Sequence, residues 1–228
     1  LSPFDPKTIR KGGEFENSEI GSIIESDFDP ANPPQLALFN IEEERGAVDN
    51  LGCAAAGKEI RKYLYQLKKG DYAYRMVDLG TIKAGDQLSD TYFACKEVIK
   101  ELLKHNCVPI ILGGSQDITL ASYMAYGELE QMVNLLEVSS HFSLGNTDLP
   151  VNSANYFSKV LLHQPNVLFN YSHIGHQSYF TDQQEIKLLK DLHFDLHRLG
   201  QIKEDVRKAE PLMRNADFVS FNMDALSQ

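Results

Sequence analysis

Val108-Pro109-Ile110-Ile111-Leu112-Gly113-Gly114-Ser115-Gln116-Asp117 joins a largely apolar run to a polar, glycine-bearing turn. A short apolar run bounded by such a turn is the pattern of a strand buried on both faces. The pattern recurs twice downstream. Leu135-Leu136-Glu137-Val138 leads into Ser139-Ser140-His141-Phe142-Ser143, and Asp217-Phe218-Val219 leads into Ser220-Phe221-Asn222-Met223-Asp224. Polar groups at the carboxyl ends of buried strands are where open α/β sheets bind ligands and do chemistry. The three polar stretches are therefore the candidate functional positions.

Working outward, apolar runs predict strands at residues 35–40, 75–79, 108–112, 133–138, 166–174, 194–198 and 218–221. Between them, helical spacing predicts helices at 54–67, 89–105, 118–126, 154–162, 181–192 and 202–215. In the first helix Ile60, Leu64 and Leu67 form the expected buried stripe, and Arg61 and Lys62 read as surface or loop-anchoring charges. In the second, Ser89 is the expected cap, with Phe93, Val98, Leu102 and Leu103 facing inward. Residues 80–85 read as a glycine-bearing loop, and Asp117 as a cap for the helix after it. The alternation predicts a mostly parallel sheet covered on both faces, a three-layer αβα arrangement. Residues 1–34 are polar and Pro-bearing and are expected to form an extended arm, with 35–228 a single α/β domain. A covering helix normally follows a strand such as 218–221, so the domain is expected to be cut short on its C-terminal side.

The 228 residues, 43% of them hydrophobic, are enough for one sizeable core. A net charge of -10 argues against nucleic acid or an anionic membrane as partner. Cys53, Cys95 and Cys107 are odd in number and lack CxxC spacing, so they read as reduced buried thiols in a reducing, cytoplasmic setting. Gly113-Gly114 has neither GxGxxG nor a following Lys-Ser/Thr, which sets aside a phosphate loop. Ser139, Ser140 and Ser143 beside His141 lack the GxSxG elbow of a serine hydrolase. His173 and His176 flank Gly175 at a spacing that can bind metal, and read first as a satisfied strand-end pair.

Taken together, the three stretches resemble the Gly-Gly-Asp-His, Asp-Ala-His-x-Asp and Ser-x-Asp-x-Asp motifs of the ureohydrolases: arginase, agmatinase and formimidoylglutamase. Arg45-Gly46-Ala47-Val48-Asp49-Asn50-Leu51-Gly52-Cys53, leading to Ile60-Arg61-Lys62-Tyr63-Leu64, is most similar to the formimidoylglutamase branch. The resemblance implies an arginase/deacetylase-like fold over roughly residues 36–226. It also implies six ligands for a pair of divalent metal ions, normally manganese. Here those positions fall on Gln116, Ser139, His141, Ser143, Asn222 and Asp224. Only His141 and Asp224 are competent ligands, and no catalytic residue is assigned. The histidine that the family uses downstream of its second motif has no counterpart in Val151-Asn152-Ser153-Ala154-Asn155-Tyr156-Phe157.

Hard dications want carboxylates, and neutral amide or hydroxyl oxygens serve them only as auxiliary ligands. With a single carboxylate left among the six positions, no binuclear cluster and no cofactor are expected. One weakly held ion on His141 and Asp224 remains open. The substitutions keep hydrogen-bonding groups while removing charge, which suits a polar core network. The expectation is a ureohydrolase-fold protein that acts as a binding, regulatory or scaffold protein. Its emptied site could take a neutral or cationic small molecule, and a homo-oligomer or protein partner is expected. The alternative is a manganese-dependent hydrolase of linear amidines that recruits Asp117, His173 or His176.

Overall fold

The computed structural model describes residues 1–6, 9–10, 14–71 and 73–226. They gather into two compact units, Leu1–Ala125 and Tyr126–Gln228. Each is built on its own parallel sheet with helices packed against the strands.

In the first unit the strands are β1 (Ile24–Glu25), β2 (Leu36–Glu42), β3 (Met76–Lys83) and β4 (Val108–Leu112), in the order β1-β3-β2-β4. All pairings are parallel, with Leu36 of β2 opposite Met76 on one side and Val108 on the other. Ala37, Leu38, Phe39 and Ile41 of β2 are fully buried, as the apolar run requires of a central strand. Strand β3 continues through residues that were expected to loop. Gly80, at φ 85, makes this possible, and the β2–β3 register shifts beside it. A side chain there would strike the carbonyl of Ser2, which bridges Thr81 through hydrogen bonds of 2.8 and 2.9 Å.

Helix α1 (Ala56–Leu64) and helix α2 (Leu88–Lys104) depart from their expected faces. In α1 the buried residues are Gly57 and Arg61, whereas Ile60 and the nearby Leu67 are exposed. Arg61 is 1% exposed and is not a surface charge. Its guanidinium donates to both oxygens of Asp78 at 2.7 and 2.8 Å, to the Gly80 carbonyl at 2.8 Å and to the Asn40 side chain. The Tyr65 hydroxyl also donates to Asp78. Gly57 lets the helix approach, because a Cβ there would overlap the side chain of Asn40. In α2 the cap is Gln87, in a reciprocal box with Asp90, and the inward residues are Thr91, Tyr92, Cys95, Lys96, Ile99 and Leu102. Phe93 is 61% exposed and was placed on the wrong face by apolarity alone.

Helix α3 (Thr119–Glu128) carries the boundary between the units. The second unit has β5 (Val133–Val138), β6 (Leu168–His176), β7 (Asp195–Arg198) and β8 (Phe218–Phe221), all parallel, in the order β7-β6-β5-β8. On one face Leu136, Val138 and Ile174 pack with Ala209 and Leu212 of helix α7 (Ala209–Asn215) and Ile202 of helix α6 (Leu199–Glu204). On the other, Phe157 of helix α4 (Tyr156–Leu162) stacks on Tyr171 with ring centroids 3.9 Å apart. Helix α5 (Gln183–Asp191) starts at Asp182, whose side chain accepts from the Gln184 amide. The single helix expected over 202–215 is broken between α6 and α7. Asp205 adopts extended backbone and caps the turn Val206–Lys208, and Pro211 is tolerated because it lies in the first turn of α7.

Candidate functional site

In the first unit, β4 ends in Gly113 and Gly114, at φ 68 and 73, a left-handed pair that glycine favours. A side chain at Gly114 would collide with Ile118. The chain then turns through the short helix Gln116–Ile118, where Ser115, not Asp117, holds the N-cap position and makes no side-chain capping bond. Asp117 is fully buried and accepts a hydrogen bond from the Tyr92 hydroxyl. Burial pushes its carboxyl upward, against that hydrogen bond. Gly46 lies so close that a Cβ there would overlap the Asp117 carboxylate. Asp117 thus packs under the Arg45–Gly52 stretch instead of capping a helix. The same stretch is held by Glu43, which accepts from Arg45 at 2.5 and 2.9 Å and from Thr91 at 2.8 Å. Burial opposes ionisation of Glu43, yet the Arg45 contacts outweigh it and bring its pKa down to about 2. Arg45 continues to the carbonyls of Gly85 and Asp86 at 2.8 and 2.9 Å. Gln116 belongs to this unit and is half-buried.

The other five positions lie in the second unit, at the carboxyl ends of β5 and β8. The Ser139 amide continues the β6 pairing to Ile174, and the Asn222 amide bonds the Val138 carbonyl at 2.8 Å. The Asn222 side chain accepts from the Asp224 amide at 3.1 Å and so aims Asp224 back at the end of β5. There Asp224 is engaged on both oxygens. Ser140 Oγ donates at 2.7 Å, Ser139 Oγ lies at 3.3 and 3.4 Å, the Ser140 amide donates at 3.3 Å, and His141 Nδ1 is 3.1 Å away. Burial opposes the Asp224 charge, but the His141 and Ser140 hydrogen bonds hold its pKa below the usual aspartate value. The hydrogen bond to Asp224 raises His141 in turn, with the Asp224, Glu137 and Glu185 charges adding to it. The His141 side chain is 41% exposed and the Asp224 side chain 27%, so the pair is reachable from solvent.

Ser143 makes no side-chain hydrogen bond to this pair. Its carbonyl accepts from the Phe157 and Ser158 amides at the start of α4, and its buried hydroxyl has no partner among the described residues. His173 and His176 are both buried. The expected satisfied pair is not what the structure has, because Nδ1 of each lacks a partner among the described residues. His173 Nε2 lies 3.2 Å from the His141 carbonyl. A carbonyl only accepts, so Nε2 carries the hydrogen and Nδ1 is a bare lone pair. Burial drives the pKa values of His173 and His176 down to about 3 and about 4, and the Phe142 ring packs on both at 4.6 and 5.1 Å. In the segment without a histidine, Asn155 braces the loop by donating to the Asn146 and Pro150 carbonyls.

Glu137 was hidden inside an apolar run, and its one sequence signal was a lone acid in a strand buried on both faces. It is fully buried and takes the Tyr171 hydroxyl at 2.5 Å. Burial raises its pKa to about 7, against the Tyr171 and Tyr156 hydrogen bonds. It stands opposite His173 on β6 and Ser220 on β8. The three cysteines are free, and burial pushes each thiol upward, which gives no activated nucleophile among them.

Among the described residues no group of three or more His, Cys, Asp or Glu side chains is arranged to hold a metal ion. The five positions of the second unit offer one imidazole, one carboxylate, two hydroxyls and one carboxamide, which do not fit a pair of hard dications. No helix among the described residues is long and apolar enough to cross a membrane.

Parallel sheets flanked by helices, with polar turns at their carboxyl ends, define an α/β protein of the arginase-like class. The arginase family profile matches residues 35–228, and the chain belongs to the arginase family. It is similar in fold to a single-residue variant of the Trypanosoma cruzi formiminoglutamase with two manganese ions, with a TM-score of 0.80 at 16% identity over 92% of this chain and 76% of that one. Formimidoylglutamase from Bacillus subtilis gives 0.77 at 17% identity over 92% and 71%. The agmatine ureohydrolase of Thermoplasma volcanium gives 0.67 at 19% over 91% and 71%. None of the curated proteins compared with the chain matches it.

Proposed function

We propose that this arginase-family chain is a binding, regulatory or scaffold protein that works without the two-metal chemistry of a ureohydrolase. The observation that carries the reading is the state of Asp224. It is the one carboxylate left among the six ligand positions, and Ser139, Ser140 and His141 already occupy its oxygens. A metal would have to break those contacts and would find neutral oxygens as its other ligands. Without a metal-bound water, attack on a guanidino or formimino carbon has no nucleophile. The His141–Asp224 pair is reachable from solvent, so a small polar ligand can approach it.

One observation favours the second reading, a metal-dependent hydrolase of linear amidines: the two surviving ligand types lie 3.1 Å apart, so one ion could displace their mutual contact. Metal analysis of protein purified without chelator separates the two. The binding reading expects well under one equivalent of manganese per chain. It also expects no release of urea or formamide from arginine, agmatine or formimidoylglutamate with manganese added. Two equivalents of bound manganese, or turnover of any of the three, would overturn it. Light-scattering mass in solution tests the expected oligomer against a lone chain.

A further inference from the structure

The second unit holds a cleft of about 340 Å³ between α7 and the strands β5, β6 and β7. It lies near the amino-terminal part of the strands, whereas the Ser139–Asp224 contacts lie at their carboxyl ends. Further along the same strands Leu136, Val138 and Ile174 are covered by α6 and α7. Toward the strand starts the cleft is lined by Asn134 and Asn170, which are paired across β5 and β6. Asparagine is disfavoured in strands, and here two carboxamides stand side by side, both partly exposed beside the cleft.

Their orientation is set by chemistry. Asn170 Nδ2 lies 3.0 Å from an Asp195 oxygen, and Asn134 Nδ2 lies 3.0 Å from an Asp217 oxygen. A carboxylate only accepts, so each amide spends a donor there and keeps its carbonyl oxygen for another contact. Asp195 itself lines the cleft, and no Lys, Arg or His does so among the described residues. Leu212 and Ala216, both partly exposed, supply apolar wall. Phe169 lines it too, with its side chain 72% exposed. The cleft thus offers acceptor oxygens, one negative charge, an aromatic ring and an apolar wall, in a protein of net charge -10.

We propose that this cleft is a binding site for a small organic cation, a primary ammonium on a short apolar stem. The ammonium group donates to Asp195 and the amide oxygens, the stem lies against Leu212 and Ala216, and the Phe169 ring faces the charge. The volume lies at the lower end of the range for small-molecule sites. A divalent ion is a poorer match, because one carboxylate and an apolar wall cannot complete its shell.

The test is an amide-resolved NMR titration of the full chain with n-butylammonium chloride, using butan-1-ol and sodium butyrate as controls. Saturable shifts centred on Asn134, Asn170 and Asn215 are expected for butylammonium and not for the two controls. Asp195→Asn, an exposed position, is expected to weaken binding about fivefold or more while leaving the far-UV spectrum unchanged. Leu212→Trp, which fills the cleft, is expected to abolish binding, and Asp224→Asn is expected to leave it intact. Absence of saturable binding, equal binding of butan-1-ol, or indifference to Asp195→Asn would each overturn the proposal. Shifts lost in Asp224→Asn but kept in Asp195→Asn would assign the cation to the His141–Asp224 site and overturn it as well. Because Asp195→Asn alone decides the role of charge, the test stands even if Leu212→Trp fails to fold.

Discussion

Arg61 and Glu137 are charged residue types buried in the interior, and they are accommodated there in opposite ways. Arg61 is accommodated in the interior because Asp78, Asn40 and the Gly80 carbonyl take its donors. Asp78 is further held by the Gly80 amide at 2.8 Å. Removing one partner of a buried pair leaves an uncompensated charge, so Arg61→Met should cost about 3–5 kcal/mol in urea unfolding. Arg61→Met with Asp78→Asn should cost clearly less than that. If the double variant were as unstable as the single one, the lost packing of the Arg61 side chain over the Phe4 ring, and not the pair, would be the cause. Glu137 is instead kept near neutrality by burial, with a folded pKa of about 7 against an ordinary 4.5. A raised carboxyl pKa means that the folded state holds its proton over a window where the unfolded state has lost it. Its contribution is therefore fully present below pH 4.5 and is lost as pH rises through about 7. Glu137→Gln keeps an acceptor for Tyr171 and removes the titration. The stability of this variant relative to the parent should climb between pH 4.5 and pH 7 by roughly 3 kcal/mol and level off above, read from urea midpoints across pH. A difference that stays flat with pH would show that Glu137 titrates normally.

At the scale of elements, strands were more legible than helix faces, and the reason is physical. β5 and β8 fall on the expected residues because a short apolar run between turn residues has few other places to go. α2 was legible in extent but not in phase. Its inward side carries Thr91, Tyr92 and Lys96, and two of these polar ends are met inside: Thr91 by Glu43 at 2.8 Å, Tyr92 by Asp117. Phe93 was expected on that side but lies outside, with the Lys96 ammonium 4.8 Å from its ring centroid. Partner groups such as Glu43 and Asp117 are far away in sequence, so no local periodicity could reveal them. The two phases make different predictions for thermal or urea denaturation. Phe93→Ser should change stability by no more than about 0.5 kcal/mol, as an exposed site does. Ile99→Ala, at 2% exposure, should cost about 2–5 kcal/mol. A large loss from Phe93→Ser would restore the apolar-stripe phase. At the ends of helices, the helix expected over 181–192 starts as α5 behind Asp182, whose side chain caps it. Asp182→Ala should cost about 1 kcal/mol by removing an acceptor from the Gln184 amide, and a change within error would mean that α5 is held by packing alone.

For the whole molecule, fold and site chemistry come from different residues, which is why one was legible where the other was not. The fold rests on apolar strands and the glycines that let them turn, and those match a family across residues 35–228. The candidate site rests on a few polar positions at the ends of the strands. Ser139, His141 and Asp224 meet at the ends of β5 and β8, and Asn222 still orients Asp224. What the motif comparison could not supply was the buried surroundings: Glu137, its tyrosines, and the unprotonated Nδ1 of His173. That separation can be tested by returning carboxylates to the second unit. Ser139→Asp, Ser143→Asp and Asn222→Asp together add three negative charges to the unit that holds His141 and Asp224. Without metal these carboxylates are desolvated, two of them at fully buried positions, so the triple variant should melt at a lower temperature than the parent. Manganese should reverse this, because a ligand that binds only the folded state stabilises it in proportion to the logarithm of its concentration. At 100 times the dissociation constant the gain is about 2.7 kcal/mol, large enough to read as a rise in melting temperature. The parent, with Asp224 already satisfied by Ser139, Ser140 and His141, should show no such rise. A triple variant that melts low and stays low with manganese would mean that these positions do not correspond to the family's ligands. A parent that also rises would mean that His141 and Asp224 already hold an ion, and the reading without metal would fall.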